Sequence, residues 1–104
     1  MKVLVTGADG MLGSALCPVL RQRGHEVIPT DRQPLGGDTL ALDICDRQAL
    51  TRLMTSRHPS GVCHLAAETD VDRCEQDPAH AYLVNTVGTE LVVEACRLTG
   101  ARLL

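Results

Sequence analysis

The sequence predicts an α/β fold, a doubly wound parallel sheet, from three observations. Apolar runs alternate with amphipathic helical stretches along the chain. The first run is continuously apolar, as a strand covered on both faces requires. It opens directly into a glycine-rich turn that feeds a helix. The sheet is expected to be incomplete, with about four strands and three helices. At 104 residues the chain is at most one domain, at the small end for such a fold. Tyr82 is its one aromatic residue, so the core must be built from Val, Leu, Ile and Ala.

The first strand is Lys2 to Thr6. It runs into T-G-A-D-G-M-L-G, residues 6 to 13, with glycines at Gly7, Gly10 and Gly13. A dinucleotide pyrophosphate needs backbone N–H donors, so a turn at a helix N-terminus must bring main chain to the ligand with no Cβ in the way. Glycines at these positions supply that approach. The alternative motif G-x-x-x-x-G-K-[ST] needs a lysine where this chain continues from Gly13 to Ser14, which argues against a P-loop NTPase. The first helix runs from Met11 to Arg23 with Gly24 as its stop, and Pro18 inside it predicts a kink or local irregularity.

The second strand, Glu26 to Thr30, ends at Asp31. An acidic residue about twenty positions past the glycine turn accepts hydrogen bonds from the adenosine ribose hydroxyls. The neighbouring Arg32 can instead pair with a 2′-phosphate, so NAD and NADP both stay open. Pro29 is compatible with a central strand only where its missing donor faces no partner. Residues 33–38 read as a loop, and Leu40 to Leu42 as a rudimentary third strand. The second helix spans Arg47 to Arg57, capped by Asp46 and stopped by Pro59-Ser60-Gly61. The fourth strand, Val62 to Ala66, leads through small residues that let backbone pass close to a ligand at the carboxyl end of the sheet. His64, inside that strand, reads as a satisfied core residue. The third helix starts at Asp77-Pro78 and continues to Leu98 or Thr99, with Gly100 at its end. Gly88 within it suggests close packing on the sheet, and Asn85 a polar partner. Ala101 to Leu104 begins another apolar run.

A formal charge of −3, with no Lys/Arg cluster, gives no electrostatic footprint for nucleic acid or an anionic membrane. No apolar run reaches membrane-spanning length or forms a signal-peptide core, so a cytoplasmic protein is expected. The five cysteines lack C-x-x-C spacing and read as buried reduced thiols, with no metal site expected.

Several separated segments together resemble the extended short-chain dehydrogenase/reductases, a superfamily of Rossmann-like NAD(P)-binding enzymes. They are T-G-A-D-G-M-L-G, Asp31, the pair Asp43-Ile44, H-L-A-A-E-T-D-V-D-R-C-E from His64, and D-P-A-H-A-Y-L-V-N-T-V-G-T-E-L from Asp77. Within the superfamily the likeness is greatest to the dTDP-4-dehydrorhamnose reductases, and it covers nearly the whole chain. It implies that Gly10, Met11 and Leu12 face the pyrophosphate, Asp31 or Arg32 the adenosine ribose, Asp43 and Ile44 the adenine, and Ala66, Ala67 and Thr69 the rest of the cofactor. It implies a supporting role at the active site for Asn85.

Two departures stand out. Glu68 occupies a position where these reductases often carry an aromatic residue or histidine. The family's catalytic Ser/Thr and Tyr-x-x-x-Lys are absent: Tyr82 is followed four residues later by Thr86, and Lys2 is the single lysine. The expectation is therefore an N-terminal NAD(P)-binding half over residues 1–104, with no catalytic residues of its own. Its parent would be a nucleotide-sugar reductase that takes hydride from the reduced cofactor. The alternatives are an epimerase or dehydratase of the same superfamily, or a non-catalytic binding module resembling the regulatory subunit of methionine adenosyltransferase. An open sheet edge and exposed apolar surface are expected to favour self-association.

Overall fold

The computed structural model describes residues 1–67 and 71–104. Five parallel strands form one sheet: β1 (Lys2–Thr6), β2 (Glu26–Asp31), β3 (Leu40–Ala41), β4 (Gly61–His64) and β5 (Arg102–Leu103), in the order β3-β2-β1-β4-β5. Strand β1 is central and pairs with both β2 and β4, Leu4 lying opposite Ile28 on one side and Val62 on the other. The run Ala101 to Leu104 thus contains a fifth strand beyond the four expected. Strand β4 is shorter than the pattern suggested, because the chain leaves the sheet after His64 and Leu65 to Ala67 form the rim of a cleft.

Helix α1 (Met11–Gln22) covers one face and continues through Pro18 without interruption. Helix α2 (Arg47–Arg57) lies on the other face. The Asp46 carboxylate accepts from the Ala49 N–H at 3.1 Å, capping α2 as the sequence indicated. Helix α2 ends at Arg57, ahead of Pro59, as expected. His58 adopts a left-handed conformation (φ 51°) at the C-cap, and Gly61 belongs to β4.

The third helix is where the sequence reading departs most from the structure. A short helix, α3 (Val71–Gln76), occupies part of what read as a polar stretch. Helix α4 (Pro78–Tyr82) is capped by Asp77, whose carboxylate accepts from the His80 N–H at 3.1 Å. The chain then widens into a π-helical segment, Leu83–Gly88, before α5 (Thr89–Thr99) ends at Gly100 in the left-handed region. Gly88 does mark a close approach, but to the turn before α2 and not to the sheet. A Cβ there would lie 2.6 Å from Ile44 Cδ1.

The two sheet faces are unequal. Alternation along β1 sends Val3 and Val5 under α1, with Ala8 and Cys17. It sends Leu4 to the opposite face, where Ile28, Leu42, Ile44, Leu50, Met54, Val62, Leu91, Val92, Ala95 and Cys96 form the larger cluster. Pro29 is accommodated by the brevity of β3. Glu26 and Thr30 turn their backbone toward β1, donating to Met1 and accepting from Ala8, whereas Asp31 accepts from Leu42 on the β3 side. Pro29 shares that orientation, and β3 begins only opposite Thr30, so its missing donor has no partner to disappoint. Among the described residues no helix is long and apolar enough to cross a membrane, and no group of three or more His, Cys, Asp or Glu could hold a metal ion. Burial raises the thiol pKa of Cys17, Cys45, Cys63 and Cys96, which keeps them protonated and poorly nucleophilic.

Candidate cofactor site

A cleft of about 480 Å³ opens at the carboxyl ends of β1, β2 and β4, where open α/β sheets bind their ligands. Its floor is the turn from β1 into α1. Gly7 has φ +67°, and a Cβ there would lie 2.8 Å from the Ala66 nitrogen, so the two strand ends touch backbone to backbone. A Cβ on Gly13 would sit 2.6 Å from the Ala8 carbonyl oxygen. The Gly10 N–H closes the turn on the Gly7 carbonyl at 3.1 Å, and Gly10 is the N-cap of α1. No side chain caps this helix and no acidic residue lies in its first turn. Its leading N–H groups are left for an anion, and the helix dipole favours one.

A second structural layer sets the shape of this turn. The Asp9 N–H donates to Asp31 Oδ2 at 3.0 Å, and Asp31 Oδ1 accepts from the Gln33 N–H at 3.1 Å. The Asp9 carboxylate in turn accepts from the Leu35 N–H at 2.7 Å and the Thr39 hydroxyl at 2.9 Å. The 33–39 loop is thereby tied to the glycine turn, and Asp31 is held at the cleft wall with lone pairs to spare for ribose hydroxyls.

The cleft brings together Gly7, Gly10, Met11, Leu12, Gly13, Asp31, Arg32, Asp43, Ile44, Ala66 and Ala67. Thr69 lies outside the described residues. Asp43 accepts from the Cys45 N–H at 2.9 Å, which shapes the turn that presents Ile44, itself both a cleft wall and a core residue. The cleft also contains Thr6, Gln33, Leu42, Leu65, His80 and Val84, which the sequence reading did not assign to the cofactor. His80 faces Arg32 across the opening, with Nη1 and Nε2 3.4 Å apart. A search for helix residues one turn apart near the Asp77-Pro78 start would have found His80 and Val84. Asp9 carried a signal too, a carboxylate inside a glycine turn, where a phosphate ligand would otherwise repel it.

A dinucleotide fits this donor set on three grounds: a cradle that a Cβ would fill, an uncapped helix N-terminus, and a carboxylate beside a guanidinium at the far wall. A family model described as "RmlD substrate binding domain" matches residues 1–104. The chain belongs to that family. It is 42% identical over 101 residues to a dTDP-4-dehydrorhamnose reductase of Streptomyces griseus, covering 97% of this chain and 31% of that protein. Among solved structures, a dTDP-4-dehydrorhamnose reductase from Bacillus anthracis in complex with NADP superposes with a TM-score of 0.85 at 31% identity, covering 98% of this chain and 34% of that one. A UDP-glucose 4-epimerase from Thermus thermophilus in complex with NAD gives 0.88 at 33% identity, covering 97% and 35%. The chain therefore spans about one third of the length of these relatives. The fold is the Rossmann-like one that the sequence predicts.

Proposed function

We propose that residues 1–104 are the N-terminal NAD(P)-binding part of a nucleotide-sugar reductase that transfers hydride to a 4-keto sugar, as the dTDP-4-dehydrorhamnose reductases do. The supporting observation is the backbone cradle of Gly7, Gly10 and Gly13 meeting Ala66 across the cleft, in a chain 42% identical to such a reductase. When bound, the reduced nicotinamide supplies the hydride. The chain's own residues bind and orient. The α1 N-terminus holds the pyrophosphate, Asp31 and Arg32 the adenosine ribose, Asp43 and Ile44 the adenine, and the Ala66-Ala67 backbone the nicotinamide half.

These residues do not supply the acid. Tyr82 is exposed, and Lys2 pairs with Glu26 at 3.5 Å, at the start of β1 and the end of the sheet away from the cleft. Tyr82 and Lys2 thus do not form the family's Tyr–Lys pair, and this reading takes the proton donor for the sugar oxygen from outside this stretch. An epimerase or dehydratase would use the same cofactor half, and the identity to the reductase favours the reductase reading.

The test is titration of NADH and NADPH with this chain, read by cofactor fluorescence without tryptophan background, since the sequence has no Trp. Saturable one-to-one binding is expected, and Arg32→Leu should weaken NADPH more than NADH. Folded protein that leaves the fluorescence of both cofactors unchanged overturns the proposal. Ketosugar-dependent oxidation of NADPH by the longer protein tests the reductase assignment.

A further inference from the structure

One hydrogen-bonded chain starts at the cleft rim, on Thr6, Leu65 and Ala66, and crosses the sheet away from the cleft. Thr6 Oγ1, at the end of β1, accepts the Leu65 N–H at 3.0 Å and the Ala66 N–H at 3.1 Å. Both lone pairs are then used, so the hydroxyl proton is directed to His64 Nδ1, 2.8 Å away. His64 must accept at Nδ1 and therefore carries its proton on Nε2. That nitrogen lies 2.9 Å from Thr89 Oγ1, the first residue of α5, and the Thr89 hydroxyl donates to the Asn85 carbonyl at 3.0 Å. The Leu65 N–H also reaches the Thr6 carbonyl, at 3.2 Å, and the polarity of the series runs one way, from the cleft-rim amides to the π-helical segment. The ring is half-buried, and burial lowers its pKa, in keeping with a neutral imidazole.

The far end of this chain meets the long helix where its register changes. His80, Val84, Gly88, Val92 and Cys96 are spaced by fours; the first two line the cleft and the last three are buried. A four-residue step overshoots a 3.6-residue turn by about 40°. Four such steps along a regular α-helix would carry His80 well away from the side on which Cys96 is buried. The wider π turns between Leu83 and Gly88 take back part of that rotation.

We infer that His64, as the neutral Nε2–H tautomer, is a positioning residue that couples the cofactor-facing ends of β1 and β4 to the π-helical segment and so aims His80 and Val84 into the cleft. It touches no reacting atom. It acts by holding the Ala66 backbone against Gly7 through Thr6, and the π register through Thr89. This inference rests on the cofactor reading for its consequence in binding, but its tautomer and register can be observed without any cofactor.

The test compares the present chain with Thr89→Val, which keeps the shape and removes the hydroxyl, and with Thr89→Ser, which keeps the hydroxyl. Nitrogen-15 NMR of the wild-type His64 ring should show an unprotonated Nδ1 and a protonated Nε2 at neutral pH. Thr89→Val should shift the His64 ring nitrogens and the backbone signals of residues 80–88, and weaken NADH binding about five- to tenfold. Thr89→Ser should restore both. A protonated Nδ1 in wild type overturns the inference. So does a folded Thr89→Val protein with unchanged signals at residues 80–88, or a Thr89→Ser protein as impaired as Thr89→Val. If the wild-type chain binds no NADH, the cofactor proposal fails while the ring and helix signals still judge the coupling.

Discussion

The two faces of the sheet solve different problems. Under α2 and α5 the chain packs a broad apolar cluster in which Leu50 and Met54 are almost wholly buried. Under α1 it packs four small or medium residues, Val3, Val5, Ala8 and Cys17, and leaves Leu12 largely exposed. The thin face is the one that carries the phosphate-type turn, and its closest contacts are backbone on backbone, Gly7 on Ala66 and Gly13 on Ala8. Most of the apolar burial therefore lies on one face and the close backbone contacts of the glycine turn on the other, while Leu42 and Ile44 of the thick face also line the cleft. Substitutions on the thick face away from the cleft should cost stability with no separate loss of binding by the folded protein. Those on the thin face should cost binding beyond what they cost stability.

The largest effect is expected from Leu50→Ala. It empties a fully buried site and should lower stability by about 2–5 kcal/mol in urea denaturation, with cofactor affinity lost only as the fold is lost. Next is Gly13→Ala, whose methyl meets the Gly7 and Ala8 carbonyls and forces the turn open. It should cost about 1–3 kcal/mol, and the surviving folded protein should bind NADH more than tenfold more weakly. Equal binding at matched folded fraction would remove the distinction between the faces. Asp46→Ala removes the α2 cap on the thick face and should cost about 1 kcal/mol with no change in affinity, which calorimetry on one preparation can check.

The smallest effect is that of pH on His64. Its pKa is lowered from 6.5 by burial, so the unfolded chain binds the proton more readily than the folded one. The His64 contribution to stability is intact above about pH 6.5 and is lost as pH falls from there toward the folded-state pKa. A His64→Gln variant should flatten that limb of the stability profile. A limb of unchanged slope would assign it to other groups.

The β1 turn, the Asp46 cap and the Asp77-Pro78 helix start were legible because each is a local device whose residues lie within a few positions of one another, and the place of Asp31 on the cleft wall was legible from the end of the second apolar run. So was the doubly wound architecture, which follows from the order of apolar runs. The fifth strand needed only two residues, Arg102 and Leu103, paired with β4, too short a run to declare a period. The π-helical segment was invisible for a different reason. Contacts beside it come from Ile44, against Gly88, and from His64, which bonds to Thr89, both distant in sequence, and helix propensity registers only poor formers at Asn85 and Gly88. Asp9 escaped notice because its partners, Leu35 and Thr39, lie across a loop that reads as unstructured.

Pro29 has a consequence for how this sheet meets other chains. The side of β2 beyond the reach of β3 presents a position with no N–H to offer, so an incoming strand finds a gap where its carbonyl needs a donor. Main-chain pairing along that stretch of β2 is interrupted at Pro29, much as a missing rung interrupts a ladder.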